Sequence, residues 1–174
     1  MAELEVEIAR LRREYQAKTG KSLTIGTVES ATGGRIADRI TNVTGSSDYF
    51  KGSVVAYSNE VKIALLGVKR TTIENYGAVS EQTALEMARG GRKLLDVAIC
   101  VSDTGIAGPS GDTPGKPLGF FYLGLAARDE SFSQKHTFPG NREENKRDAA
   151  EAALNMLKQY LLRCIKSRGR SARL

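Results

Sequence analysis

Seven residues, Val28-Glu29-Ser30-Ala31-Thr32-Gly33-Gly34, set two hydroxyls and two glycines between an apolar run and a helical pattern. The run before them, LTIGTV, is short and β-branched and reads as a buried strand, while RIADRI after them opens an amphipathic helix. Ser30 therefore falls at the carboxyl end of a strand, just before a helix start, where a nucleophile can face free N–H groups able to stabilise an anion. Glycines at 33 and 34 let a ligand approach the main chain closely. The plainer role for Ser30 or Thr32 is a helix cap, which both residue types favour.

A nucleophilic serine needs a base. The single histidine, His136, lies in the alternating run SFSQKHTF and reads as a strand residue before a triad member. Lys62 is the other candidate. If Asn59 caps the helix that follows KGSVVAYS, Lys62 takes the third helical position, where the macrodipole and partial burial both lower its pKa. A neutral lysine can accept a serine proton; a solvated helix lysine is the bland alternative. Ser30, Tyr57 and the Thr104-Gly105 segment all follow strands, so parallel strands would gather them in one cleft.

Those positions depend on the elements around them. Leu4, Ile8, Leu11 and Tyr15 recur at helical spacing, and Gly20 suits the end of that first helix. Turn formers at Asn42 to Ser47 precede a strand over Lys51 to Ser58. A short helix runs to Leu66, another turn of helix spans Thr71 to Tyr76, and Ser80 caps a longer helix with Leu85, Ala88 and Leu95 inward. Val97 to Ser102 is a strand covered on both faces. Asp103 to Pro117, rich in Gly and Pro, reads as a long functional loop. Leu118 to Ala126 and Ser131 to Phe138 form a hairpin, and the last helix runs from Asn141 to about Lys166. The expected architecture is a three-layer α/β/α sandwich around a mixed, mainly parallel five-stranded sheet, with residues 1–166 as one domain and 167–174 as a basic disordered tail.

Composition narrows the class. The 174 residues are 40% hydrophobic and 26% charged, as a globular domain should be. Charges run through the first sixteen residues, MAELEVEIARLRREYQ, and no apolar run is long enough to span a bilayer, so a cytoplasmic protein with no membrane partner is expected. Cys100 and Cys164 fall on apolar stretches and read as reduced thiols, and no clustered Cys/His spacing points to a metal. The net charge of +6 collects near Arg163, Lys166, Arg168, Arg170 and Arg173. That is a basic tail without a reader motif, so specific nucleic-acid binding is not expected.

VESATGG, GSSDYFKGSVVAYSNEVK, YGAVSE, TGIAGPSG and FPGNREENKR, in this order, resemble the C-terminal domain of the competence/damage-inducible protein family called CinA. The resemblance covers essentially the whole domain. It implies a nicotinamide-nucleotide amidohydrolase, a nicotinamide mononucleotide deamidase of pyridine nucleotide salvage that needs no metal or organic cofactor and works as a homodimer. In the family's pattern Ser30 matches the nucleophile, Lys62 the base, and Tyr57 the residue that orients or relays between them. Thr32, Gly33, Gly34, Thr104, Gly105, Ala107 and Gly108 match the substrate-binding segments, with N–H groups near Ser30 and Gly33, and Thr104, facing an oxyanion. Arg142, with Lys146 or Arg147, would hold the 5′-phosphate. From the residues alone, Arg142 and Lys146 could equally pair with Glu143 and Glu144 on a solvated face.

Two positions depart from the family. Ala31 stands where a cysteine is usual, and Lys146 where arginine is typical, exchanging a bidentate fork for a point charge. The resemblance is to stand-alone members, so the N-terminal nucleotide-pyrophosphatase domain of longer members is not expected. A non-catalytic nucleotide-binding or regulatory module is the alternative reading.

Overall fold

The computed structural model describes residues 3–171. Its first element, α1 (Leu4–Thr19), buries Ile8, Ala9, Leu11 and Tyr15 and ends at Gly20, whose positive φ returns the N–H to Gln16 O. Then follow β1 (Ile25–Glu29), α2 (Arg35–Thr41), a 3₁₀ turn at Ser46–Asp48, β2 (Phe50–Val55), α3 (Asn59–Leu66), α4 (Arg70–Tyr76) and α5 (Glu81–Leu94). The chain closes with β3 (Ile99–Gly105), β4 (Phe120–Ala126), β5 (Ser131–Thr137) and α6 (Arg142–Ser171). The last helix thus continues beyond the expected stop near Lys166, so 167–171 is not the disordered start of a tail; residues 172–174 lie outside the described residues.

Strand order is β2-β1-β3-β4-β5. β1 pairs in parallel with β2 and β3, and the β3·β4 and β4·β5 pairings are antiparallel, so only β4 runs against the others. The sheet is the expected mixed one in a three-layer α/β/α sandwich. Side-chain alternation builds the layers: Ile99 and Val101 of β3 join Leu123 and Leu125 of β4 under α1, α2 and α6, while Val28 and Cys100 face Met87 of α5 on the other side. Each fully buried Leu or Ile contributes about 1.5–3 kcal/mol. α5 lies very close to the sheet, because a Cβ at Gly91 would sit 2.4 Å from Val28 Cγ1 and 2.8 Å from Cys100 Sγ. Burial pushes the Cys100 thiol up to about 12, leaving a packing residue in place of a reactive one.

Because β1 leads to β2 on one side and its other neighbour is β3, the carboxyl ends of three parallel strands open at a topological switch point. Several boundaries differ from expectation in ways that matter there. Asp103, Thr104 and Gly105 belong to β3, held by the antiparallel ladder to β4, so the irregular segment begins only at Ile106. β2 stops at Val55, leaving Tyr57 in the connection to α3. The cap of α3 is Ser58, whose hydroxyl accepts from Val61 N, and Asn59 is the first helical residue. In α5 the buried face is Thr83, Ala84, Met87, Ala88 and Gly91, and Leu85 is only half-buried.

Candidate active site

Beyond β1 the chain must turn sharply from strand to helix, and two buried carboxyl groups organise that turn. Glu29 accepts from Gly34 N, Ile36 N and Ala37 N at 2.8, 3.1 and 2.8 Å, supplying the acceptor that the start of α2 lacks, since Gly34 has no side chain to cap it. Asp103, at the end of β3, accepts from Ser30 N and Thr32 N, both at 3.0 Å. The Thr32 hydroxyl lies between them, 2.7 Å from Glu29 Oε2 and 2.5 Å from Asp103 Oδ2. Complete burial and the nearby Glu29 raise the Asp103 carboxyl to about 6, against the hydrogen bonds from Thr32 and Ser30 that lower it.

Lys62 comes from α3 and is 2% exposed. Its Nζ lies 2.9 Å from Ser30 Oγ, 3.0 Å from Ala56 O and 3.1 Å from Tyr57 O. Desolvation lowers its pKa from the ordinary 10.5, with Asp103 and Glu60 pulling the other way. The partner set accommodates the neutral amine that desolvation favours: its two N–H groups satisfy the Ala56 and Tyr57 carbonyls and its lone pair accepts from the Ser30 hydroxyl, whereas the charged form would donate to all three.

Ser30, Ala31, Lys62, Thr104, Gly105 and Ala107 line a cavity of about 200 Å³, with Tyr57 and Arg142 at its edge. Arg142 Nη1 donates to Gly108 O at 2.7 Å and Nη2 to the Tyr57 hydroxyl at 2.9 Å. Beside it, the fully buried Asn145 donates from Nδ2 to Ala107 O at 3.0 Å, so the first turn of α6 fixes the 107–108 segment twice. Lys146 reaches back over the turn, its Nζ 3.7 Å from where a Gly33 Cβ would stand.

Residues 9–161 match the model of the CinA C-terminal domain. The chain belongs to that family. It is 43% identical over 160 residues to a CinA-like protein of Sulfurihydrogenibium sp. (strain YO3AOP1), covering 92% of this chain and 38% of that protein. To a CinA-like protein of Salinibacter ruber (strain DSM 13855 / M31) it is 47% identical over 145 residues, covering 83% of this chain and 35% of the relative. The chain therefore spans little more than a third of the length of these relatives. Among solved structures, the competence/damage inducible protein CihA from Agrobacterium tumefaciens superposes with a TM-score of 0.81 at 34% identity, over 90% of this chain and 94% of that one. The competence damage-inducible protein A (ComA) from Klebsiella pneumoniae subsp. pneumoniae MGH 78578 gives 0.84 at 27% identity, over 92% and 98%.

In this CinA domain the structure brings Ser30, Lys62, Thr104, Gly105, Ala107 and Arg142 together, and it separates others. The Tyr57 phenol meets Arg142, and only the Tyr57 main-chain oxygen touches Lys62, so the expected relay through its side chain has no contact in the Ser30–Lys62 pair. Thr32, expected to bind substrate, is fully buried and spends its hydroxyl on the two carboxyl groups. The Thr104 hydroxyl donates to Ala78 O. Ser30 N–H, expected near an oxyanion, is taken by Asp103, whereas among the described residues no protein acceptor meets the N–H of Ala31 or Gly33. Arg147 pairs with Asp148 on the exposed side of α6, away from the cavity. Arg142 and Lys146 do not pair with Glu143, which instead binds Arg35. His136 stacks on Phe138 and lies outside the cavity lining, as a strand residue would. Among the described residues no group of three or more His, Cys, Asp and Glu is placed to hold a metal, and no helix is long and apolar enough to cross a membrane.

Asp103, Glu29 and Asn145 were not legible as site residues. Asp103 carried one available signal, an acid inside the otherwise apolar strand run VAICVSD, which demands a partner once buried.

Proposed function

We propose that this CinA domain is a nicotinamide mononucleotide deamidase in which Ser30 is the nucleophile and Lys62 the general base. The supporting observation is the buried Lys62 Nζ, 2.9 Å from Ser30 Oγ with two carbonyls as its remaining partners. In this reading Ser30 Oγ attacks the carboxamide carbon while its proton passes to Lys62. The tetrahedral oxygen is held by the N–H of Ala31, the donor next to the nucleophile that Asp103 leaves free; one well-placed donor of this kind contributes about 3 kcal/mol. Collapse breaks the C–N bond, and Lys62 returns the proton to nitrogen, releasing ammonia and leaving an ester on Ser30. Water, deprotonated by Lys62, then cleaves the ester to nicotinic acid mononucleotide and restores the serine. No step calls for a metal or organic cofactor.

Arg142 uses two of its five N–H donors on Gly108 O and Tyr57, so its remaining donors can meet a phosphate at the cavity edge, with Lys146 as a second cation. The same reading includes a cytoplasmic homodimer, which sedimentation would reveal as twice the 18.8 kDa chain mass. The primary experiment follows ammonia and nicotinic acid mononucleotide during incubation of the purified chain with nicotinamide mononucleotide. Stoichiometric release of both is expected. Saturable binding without turnover would replace the enzyme with a nucleotide-binding regulatory module.

A further inference from the structure

Thr32 has one hydroxyl hydrogen and two carboxyl neighbours. Its Oγ1 stands 2.7 Å from Glu29 Oε2 and 2.5 Å from Asp103 Oδ2, both hydrogen-bond distances, yet it can donate to only one of them. The second contact is satisfied when that carboxyl carries a proton and donates to Thr32. Between the two acids, Glu29 is the better stabilised anion, since three main-chain N–H groups of the α2 start bind it. Asp103, buried as completely as Glu29, has only two main-chain donors. The proton therefore belongs on Asp103, in the order Asp103 to Thr32 to Glu29.

We propose that Asp103 is a positioning residue for Ser30 that acts as a neutral acid, holding the nucleophile's backbone without setting an anion beside Lys62. The inference rests on the serine–lysine reading of the site for its consequence, but the protonation state itself does not. The groups facing Asp103 support the assignment. Glu29 of β1 lies across the Thr32 hydroxyl with three main-chain donors of its own, Leu123 of β4 opposes Asp103 across the ladder, and Lys62 of α3 is the amine whose proton affinity an ionised Asp103 would raise. Lys146 of α6 lies farther out, over Gly33. Two isolated charges in a buried site each carry a desolvation cost, so neutral acid with neutral amine is favoured over carboxylate with ammonium when the two do not touch. A carboxyl titrating at about 6 would be mostly ionised at neutral pH, so the assignment stands on the two short Thr32 contacts, and the Asp103 titration agrees with it in direction alone.

Two measurements test the proposal. Infrared spectra of the full chain at neutral pH, with and without aspartate-specific ¹³C labelling, should show a protonated-carboxyl C=O band that moves with the label, Asp103 being the one aspartate buried among the described residues. A spectrum with no such band overturns the proposal, whether or not the protein turns over any amide. The second is the pH–rate profile of Asp103→Asn. Because a neutral side chain replaces a neutral one, kcat should fall by about ten- to a hundredfold through the lost grip on Ser30 N–H, with KM little changed and the rising limb unmoved. A limb displaced to lower pH would mean that an anion had been removed from beside Lys62, against the proposal. Should Asp103→Asn not fold, Thr32→Val and Thr32→Ser serve: the labelled band should shift in the valine variant and return to its parental position in the serine variant, and a band indifferent to both overturns the relay.

Discussion

Arg142 Nη2 donates to the Tyr57 hydroxyl at 2.9 Å, joining the start of α6 to the β2–α3 connection across the edge of the cavity. Both partners are exposed at that edge, so the contact is easily exchanged for a ligand oxygen. On the proposed reading, Arg142→Ala removes a charge-assisted contact to a phosphate remote from the reacting carbon. We expect nicotinamide mononucleotide to lose about 1.5–3 kcal/mol of apparent affinity, while nicotinamide riboside, lacking the phosphate, barely responds. Four kcat/KM values, parent and variant on each substrate, check this. Equal losses on both would move Arg142 from phosphate binding to support of the Gly108 segment.

Ser30→Ala should abolish amide hydrolysis and leave the fold in place. Among the described residues the hydroxyl's one partner is Lys62 Nζ, so its removal costs stability only about 1 kcal/mol. Ammonia release and urea unfolding measured on the same preparation decide it, and residual parental activity would exclude a serine ester.

Lys62→Met should reduce kcat by about 10²–10⁴-fold with KM nearly constant, as expected of a general base. The parent's activity should rise with pH through the lowered lysine pKa, as the free amine forms. Stability carries the matching sign. Between that folded pKa and the ordinary 10.5 the unfolded chain binds more protons than the folded one, so stability of the parent increases with pH across this window. The methionine variant should lose this slope, which urea unfolding at a series of alkaline pH values would show. An unchanged slope would mean that Lys62 is protonated in the folded protein.

Gly90→Ala tests the support of α3, the helix that carries Lys62. A Cβ on Gly90 would sit 1.8 Å from Leu66 O, a main-chain atom at the end of α3, so the two helices must separate. Overpacking of this kind costs about 1–3 kcal/mol, read as a lower urea midpoint with unchanged m-value. A midpoint equal to the parent's would show that the α3–α5 contact is looser than found.

How much of this was written in the sequence differs between element and site. Local patterns located every strand and helix, because apolar spacing at two or at three to four residues reports which side of an element is buried, and Gly20 and Ser80 mark ends by their own backbone and hydroxyl chemistry. Ser30 was visible for the same local reason, a hydroxyl in a glycine-flanked turn, and the five ordered motifs of the family drew Lys62 and Arg142 to it. The contacts between distant segments were not legible. Asp103 lies 73 residues from Ser30, and nothing in a run of Gly and Pro reveals that its first three residues extend β3 and turn a carboxyl beneath the nucleophile. The family resemblance implies that Tyr57 orients or relays within the Ser30–Lys62 pair, yet the direction of one side chain in a connection places its phenol on Arg142 and only its carbonyl on Lys62. Sequence determined which residues could react; the parallel pairing of β1 with β2 and β3 decided which of them meet, because hydrogen-bond partners of a buried group are set by the packing of whole elements and not by neighbours along the chain.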